Sequence, residues 1–309
     1  MYFPYLYGLG SELLAIRDLI DDGFQGPLHP IIEPVRADPS ALNTAVRAIE
    51  SAHFGASVVV NPSLRDFQVP AARAAWREGA DELLRGGAVR PALVIDSHTT
   101  RADIHEFDRS FGSGALTLVI RSGAVDAQVV ADLLGQQDVL VIIHYNVDDA
   151  AYVQSFGSAA VVRLTDSFTR QPRNADYDGA DWFSNGHRTY GGASRPGFGD
   201  YTVLAPVPSD PGGGPAAAVV VHASYLDHEG DLWVAHYVSD AVERGDGSAG
   251  DKLLEALDHL ADERPLFADT SGMVRFDEVR DSRRLTNLAT NKRFQISHHI
   301  ETASRADWG

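Results

Sequence analysis

The sequence predicts an α/β protein: a closed (β/α)8 barrel of the TIM type with an irregular eighth unit, a long polar loop after the seventh strand and a β-hairpin insertion. Three observations carry this reading. Apolar runs of strand length recur regularly between residues 2 and 165, stretches with helical spacing separate them, and polar residues gather at the strand ends. An open doubly wound sheet with a dinucleotide usually shows G-x-G-x-x-G after its first strand. Here "YGLGSE" has Leu13 where the third glycine would fall, and no Walker A motif occurs.

The elements follow in order. "YFPYLY" (2–7) is the first strand, and "SELLAIRDLI" then places Leu13, Leu14, Ile16, Leu19 and Ile20 on one helical stripe. "HPIIEPV" (29–35) precedes a helix opened by Pro39 and Ser40. "ASVVV" (56–60) precedes "AAWREGADELLRGG", whose paired glycines stop a helix. "RPALVID" (90–96), "ALTLVIRS" (115–122), "VLVIIHY" (139–145) and "AAVVRLT" (159–165) continue the series, with "DAQVVADLLGQQ" and "DDAAYVQSFG" as short helices. β-Branched and aliphatic residues dominate the runs, which suits strands buried on both faces.

After Thr165 the rhythm stops. Residues 169–198 read as a polar loop able to fold over the barrel mouth as a lid. "DYTVLAP" and "AAAVVVHASY" both remain candidates for the eighth strand. "AAAVVVHASY" and "LWVAHYV", joined by "LDHEGD", predict a hairpin over 215–240. Two helices, over 250–262 and near 281–291, finish the chain, and with no linker in view residues 1–309 read as one barrel domain.

Composition limits the function classes. The 309 residues are 44% hydrophobic and 22% charged, enough for an ordinary core. With 43 acidic against 26 basic side chains the formal net charge is -17, a balance that repels nucleic acid. The absence of cysteine excludes a disulfide framework, a thiolate nucleophile and Cys-ligated metals. No signal-peptide pattern opens the chain and no run approaches a membrane span, so the expectation is a cytoplasmic protein away from the membrane. No motif sets an oligomeric state.

In a barrel of this type the reactive groups stand at the C-terminal strand ends. Glu33, Asp96, His144 and Asp166 are the candidate catalytic acids, bases or metal groups, with Asn61 and Arg121 as ligand-binding partners. Arg173, Asn174 and Tyr177 from the polar stretch, with Asp200 and His222, complete the ligand-binding set. Each has a plainer alternative: Asn61 as a turn residue, Asp96 and Asp166 as helix caps, His144 as a hydrogen-bonded core histidine. A divalent metal is a compatible cofactor, although no pair has diagnostic spacing. Asn174, Asp176, Asp178 and Gly179 imitate the start of a calcium loop, but Asn185 stands where its bidentate Glu belongs. Adjacent His298 and His299 point about 100° apart on a helix, which favours packing over ligation.

"MYFPYLYGLGSELLAIRDL", "PIIEPV", "VVNP", "DSFTRQPRNADY", "WFSNGHRTY", "GFGDYTV" and "SHHI" resemble a family of bacterial and prophage proteins grouped with the so-called beta-protein family. The resemblance covers nearly the whole chain and implies an α/β barrel and a mobile-element or phage-defence setting, without an activity. It groups Arg173, Asn174, Asp176 and Tyr177 with Phe198, Gly199, Asp200 and Tyr201. The chain departs from the family at Tyr7 and Leu9, where relatives carry basic residues, and at "SLRDF", where relatives carry a glycine-containing turn. Two functions stay open: a hydrolase or phosphotransfer-type enzyme acting on a small or phosphate-containing ligand, and a non-catalytic barrel binding a small ligand or a protein encoded by a neighbouring gene, as in a defence or toxin–antitoxin pair.

Overall fold

Each apolar run of the first half becomes a parallel strand. β1 (Tyr2–Leu6), β2 (Ile31–Ile32), β3 (Ala56–Val59), β4 (Val89–Ile95), β5 (Leu116–Ile120), β6 (Val139–Ile143) and β7 (Val161–Thr165) pair in chain order. β8 (Ala180–Ser184) lies outside the barrel, and β9 (Phe198–Asp200) closes it between β7 and β1. The computed structural model describes residues 1–84, 89–135, 138–189, 196–208 and 216–306.

Helices α1 (Gly10–Asp21), α2 (Ser40–Ser51), α3 (Pro70–Leu84), α4 (Arg101–Phe111), α5 (Ala127–Leu134) and α6 (Ala150–Phe156) follow the first six strands. Local caps fix several starts: Thr100 accepts from the Asp103 amide at α4, and Asp126 accepts from Gln128 and Val129 at α5. Alternate strand residues divide between two cores. Phe3, Tyr5, Val59, Val94, Val119 and Ile142 fill the lumen, while Tyr2, Leu6, Ile32, Val58, Ile95 and Ile120 face the helices.

The rest of the chain forms an appendage. β10 (Val220–Leu226) and β11 (Leu232–Val238) make an antiparallel hairpin, and β8 pairs with the other side of β11. After α7 (Gly186–Thr189), three helices follow: α8 (Ala249–Asp262), α9 (Ser271–Asp281) and α10 (Leu288–Ser304). They enclose a second apolar cluster with the small sheet, including Val221, Ala235, Leu257, Phe276 and Phe294. α10 also packs against α1 and β1, the place of a barrel's eighth helix.

Three expectations need correction. The closing strand is Phe198–Asp200, so neither "DYTVLAP", which starts on its last residue, nor "AAAVVVHASY", which forms β10, is the eighth strand. The polar stretch is not loop throughout, because β8 and α7 lie within it; β8 exists through its pairing with β11, a long-range partner that local pattern does not show. Residues 190–195 of that stretch and 209–215 before the hairpin lie outside the described residues. The helix expected near 281–291 straddles a break, since α9 ends at Asp281 and Asn287 caps a new helix through the Thr290 amide.

Closure is sterically tight. Pro4 in β1 has no N–H to give to either neighbour. A Cβ on Gly199 would collide with the Phe3 carbonyl oxygen and approach Leu164 Cδ2 to 2.7 Å. Gly199→Ala is therefore expected to destabilise the barrel by about 1–3 kcal/mol, read as a lower urea midpoint at constant m; an unchanged midpoint would show that the seam tolerates a side chain.

Candidate functional site

The C-terminal mouth of the barrel is built on aromatic residues from the two strands at the seam. Tyr5 and Tyr7 come from β1 and its end, and Tyr201 follows β9; their rings pack with centroids 5.6–5.7 Å apart around Tyr5. Among them stand the strand-end groups expected from sequence. Glu33, wholly buried after β2, accepts through Oε2 from the Tyr5 hydroxyl at 2.8 Å and from Arg121. Arg121 also donates to the Tyr5 oxygen at 3.1 Å. The pair meets the requirement that a buried acid have a partner. Glu33 Oε1 is left without a hydrogen bond.

His144 follows β6. Its Nδ1 lies 2.7 Å from the Tyr201 hydroxyl, and its buried Nε2 has no partner. Burial, reinforced by the nearby Arg121 charge, pushes its imidazole down to about 3, so it is neutral at physiological pH. Burial raises the Tyr5, Tyr7 and Tyr201 hydroxyls above their ordinary range, with Glu33 adding to the effect at Tyr5 and Tyr7. The inner mouth therefore presents neutral hydrogen-bonding groups around one buried ion pair.

The remaining strand-end candidates separate from this cluster. Asp166 stays near it, close enough for its charge to act on Tyr7 and Tyr201, but is held by both oxygens to Arg170 at 2.6 and 2.9 Å. Asn61 imitates a peptide unit, donating to Val94 O and accepting from Val94 N, both at 2.8 Å. Asp96 closes the β4–α4 turn by accepting from the His98 amide at 2.8 Å. Both line a separate cavity between α3 and α4. Asp200 is wholly buried in the seam, accepting from Tyr2 at 2.5 Å and from the Thr202 amide at 2.7 Å.

Residues of the polar stretch also part company. Arg173 is a surface group paired with Asp176 at 2.5 Å, which is local charge pairing and not a contact with the mouth. Tyr177 packs on His222 and His236 at centroid distances of 4.7 and 4.8 Å. Asn174 donates to Ala218 O at 3.0 Å, tying the stretch to the small sheet.

Asn174 and His222 nevertheless reach a cleft at the barrel mouth. Together with Tyr7, Leu9, Glu12, Arg65, Asn291 and Lys292 they line a cleft of about 310 Å³ at the same end of the barrel. The cleft is assembled from both termini. Gly8, with φ +62, allows the sharp turn after β1. That turn returns Glu12 to accept from the Tyr7 and Leu9 amides at 2.6 and 3.4 Å. Glu12 Oε1 makes no hydrogen bond and faces Lys292 Nζ of α10 at 3.8 Å. Burial raises the Glu12 carboxyl above its usual range, although Lys292, the two amides and Arg65 oppose the rise. The Tyr7 hydroxyl, also without a partner, joins this cleft to the inner mouth.

Two of the four described non-glycine residues with left-handed φ lie on the same face. Arg65 has φ 48 and Thr202, after β9, has φ 56; L-residues hold such angles only when surrounding structure enforces them, a situation common at functional sites. Sequence reasoning missed Glu12, Arg65 and Lys292. Glu12 had a legible signal, since it precedes Ile16 by four residues and Leu19 by seven and so falls on the apolar stripe of α1. Among the described residues no group of three or more His, Asp or Glu side chains converges as a metal-binding set, and no helix is long and apolar enough to cross a membrane.

The histidines give a pH signature. His29, His144 and His298 are each pushed by burial from 6.5 to about 3. Their folded pKa values lie below the unfolded value, so their contribution is complete above pH 6.5 and is lost as pH falls toward 3. Each can remove up to about 1.4 kcal/mol per pH unit in that window. His144→Gln should flatten the fall in urea-measured stability between about pH 6 and pH 4 by up to that slope; an unaltered slope would mean that His144 is protonated in the fold.

No protein-family model and no curated protein matches the chain.

Proposed function

We propose that this barrel is an enzyme that binds a small anionic substrate, bearing a phosphate or carboxylate, in the cleft between its C-terminal mouth and α10. Lys292 and Arg65 hold the anion, Glu12 exchanges a proton with the substrate, and Tyr7 donates from the side of the inner mouth. The observation that carries the reading is Glu12: a wholly buried carboxylate with one oxygen unbonded, facing a lysine across a cleft. Burial raises the Glu12 pKa, which suits a group that must hold and release a proton. Two cations converging on one cleft of a chain with net charge -17 form a local contrast that favours an anion.

The resemblance to the prophage-associated barrel family fits this assignment. The chain lacks the family's basic residues at Tyr7 and Leu9, yet both positions line the cleft, with Arg65 and Lys292 supplying the charge. Arg65 belongs to the "SLRDF" segment that replaces a glycine-containing turn and keeps a backbone angle that favours glycine. Under this proposal the reaction is a hydrolysis or phosphoryl transfer in a mobile-element or phage-defence setting. A second reading, binding without turnover, draws on the inner mouth, where Glu33 is paired with Arg121 and His144 stays neutral.

Thermal-shift titration with inorganic phosphate, pyrophosphate and glycerol phosphate at low ionic strength tests the assignment. Wild type should be stabilised, and Lys292→Ala should weaken binding about tenfold or more, equivalent to about 1.4 kcal/mol. Glu12→Gln, which keeps an acceptor for the Tyr7 amide and removes a negative charge, should bind at least as tightly while losing activity in a host assay. Equal binding by wild type and Lys292→Ala would contradict the anion site; full host activity of Glu12→Gln would leave the non-catalytic reading.

A further inference from the structure

The hairpin register sets His222 of β10 directly opposite His236 of β11. Their Nδ1 atoms are 2.8 Å apart, and His236 Nε2 lies 3.2 Å from Asp181 Oδ2 on β8. Phe168 and Tyr177 pack against both rings, which fixes their orientation. Both histidines are buried, whereas the Asp181 side chain is 39% exposed. One end of this chain of three groups therefore meets solvent, and His222, at the other end, lines the cleft.

Hydrogen-bond logic gives the chain a direction. A carboxylate only accepts, so His236 Nε2 carries a proton toward Asp181. Burial keeps His236 neutral, and its Nδ1 is then a bare acceptor. The facing His222 Nδ1 must donate. Burial, with His236 adding to it, holds His222 neutral as well, so its Nε2 is left unprotonated.

We propose that His222 Nε2 is a proton acceptor of the cleft and that Asp181, acting through His236, sets its tautomer. The proposal rests on the cleft being the substrate site and adds the group that takes a proton from a substrate hydroxyl. As the O–H bond breaks, its electron pair stays on the substrate oxygen and the proton joins His222 Nε2. His222 releases its Nδ1 proton to His236 Nδ1, and His236 releases its Nε2 proton to Asp181. Both rings remain neutral, and the proton ends on a carboxyl open to water. One passage reverses both tautomers, so the return passage delivers a proton back to the cleft. That alternation suits a reaction that removes a proton in one step and restores it in the next. His236 and Asp181 act as positioning residues.

Ring nitrogen-15 NMR on the full chain near neutral pH tests this directly. Wild type is expected to show His222 protonated at Nδ1 and His236 at Nε2. Asp181→Ala removes the directing acceptor and should raise the Nε2-protonated form of His222 to about half. If that variant does not fold, Asp181→Asn, whose amide can donate to His236 Nε2, should move both tautomers the same way. His222 protonated at Nε2 in wild type, or a His222 tautomer unmoved in the variants, would overturn the proposal. The measurement needs no ligand: failure of phosphate binding at Lys292 would remove the substrate reading and leave these tautomers in place.

Discussion

A strand of only three residues closes the barrel, and the C-terminal face depends on that closure. Backbone pairing over Phe198–Asp200 offers few ladder bonds, and Pro4 opposite Asp200 contributes no N–H. Side chains make up the difference. Asp200 receives the Tyr2 hydroxyl across the seam and the Thr202 amide beyond it, with His299 Nε2 of α10 at 3.6 Å. A buried carboxylate is tolerable only with such donors, and removing them would leave a costly unpaired acid. The strain at Thr202 lies two residues after Asp200, and Tyr201, which bonds His144, lies between the two.

The same anchor connects the appendage to the barrel. His299 binds Ser224 of β10 through Nδ1 at 2.7 Å, and neighbouring His298 binds Thr270, the cap of α9, at 2.6 Å. Arg293, also on α10, pairs with Asp18 of α1. These contacts hold α10 in the place of an eighth barrel helix and so bring Lys292 over Glu12. Burial pushes the His298 imidazole down to about 3, so its contribution to holding α10 is lost as the pH falls toward that value. The cleft is therefore a consequence of how the barrel is shut, since its acid comes from the first helix and its lysine from the last.

Much of the scaffold was legible in sequence because seven strands announce themselves as β-branched and aliphatic runs buried on both faces. β9 and β8 were not, for different reasons. β9 is short and centred on Gly199, whose lack of a side chain is required by the close approach of Phe3 and Leu164 but carries no strand signal. β8, "ADWFS", takes its structure from β11 some fifty residues on. Of the site, residue types at strand ends were readable: Glu33, Arg121 and His144 do meet at the mouth. Their pairing was not, because it depends on barrel geometry across 88 residues of sequence between Glu33 and Arg121. Asp96 and Asn61 show why strand-end position alone is insufficient, since backbone hydrogen bonding absorbs both. Glu12 was visible as a charge on an apolar stripe, while Lys292 had no local signal. The facing of His222 and His236 follows from the hairpin register around "LDHEGD" and could have been counted from the turn.

We propose that the cleft joining Tyr7, Glu12, Arg65 and Lys292 receives an anion. Anomalous diffraction from a crystal soaked in selenate would locate that anion. An anomalous peak is expected within hydrogen-bond reach of Lys292 Nζ and the Arg65 guanidinium. Peaks confined to other surfaces, with the cleft free of anomalous signal and open to solvent in the lattice, would contradict it.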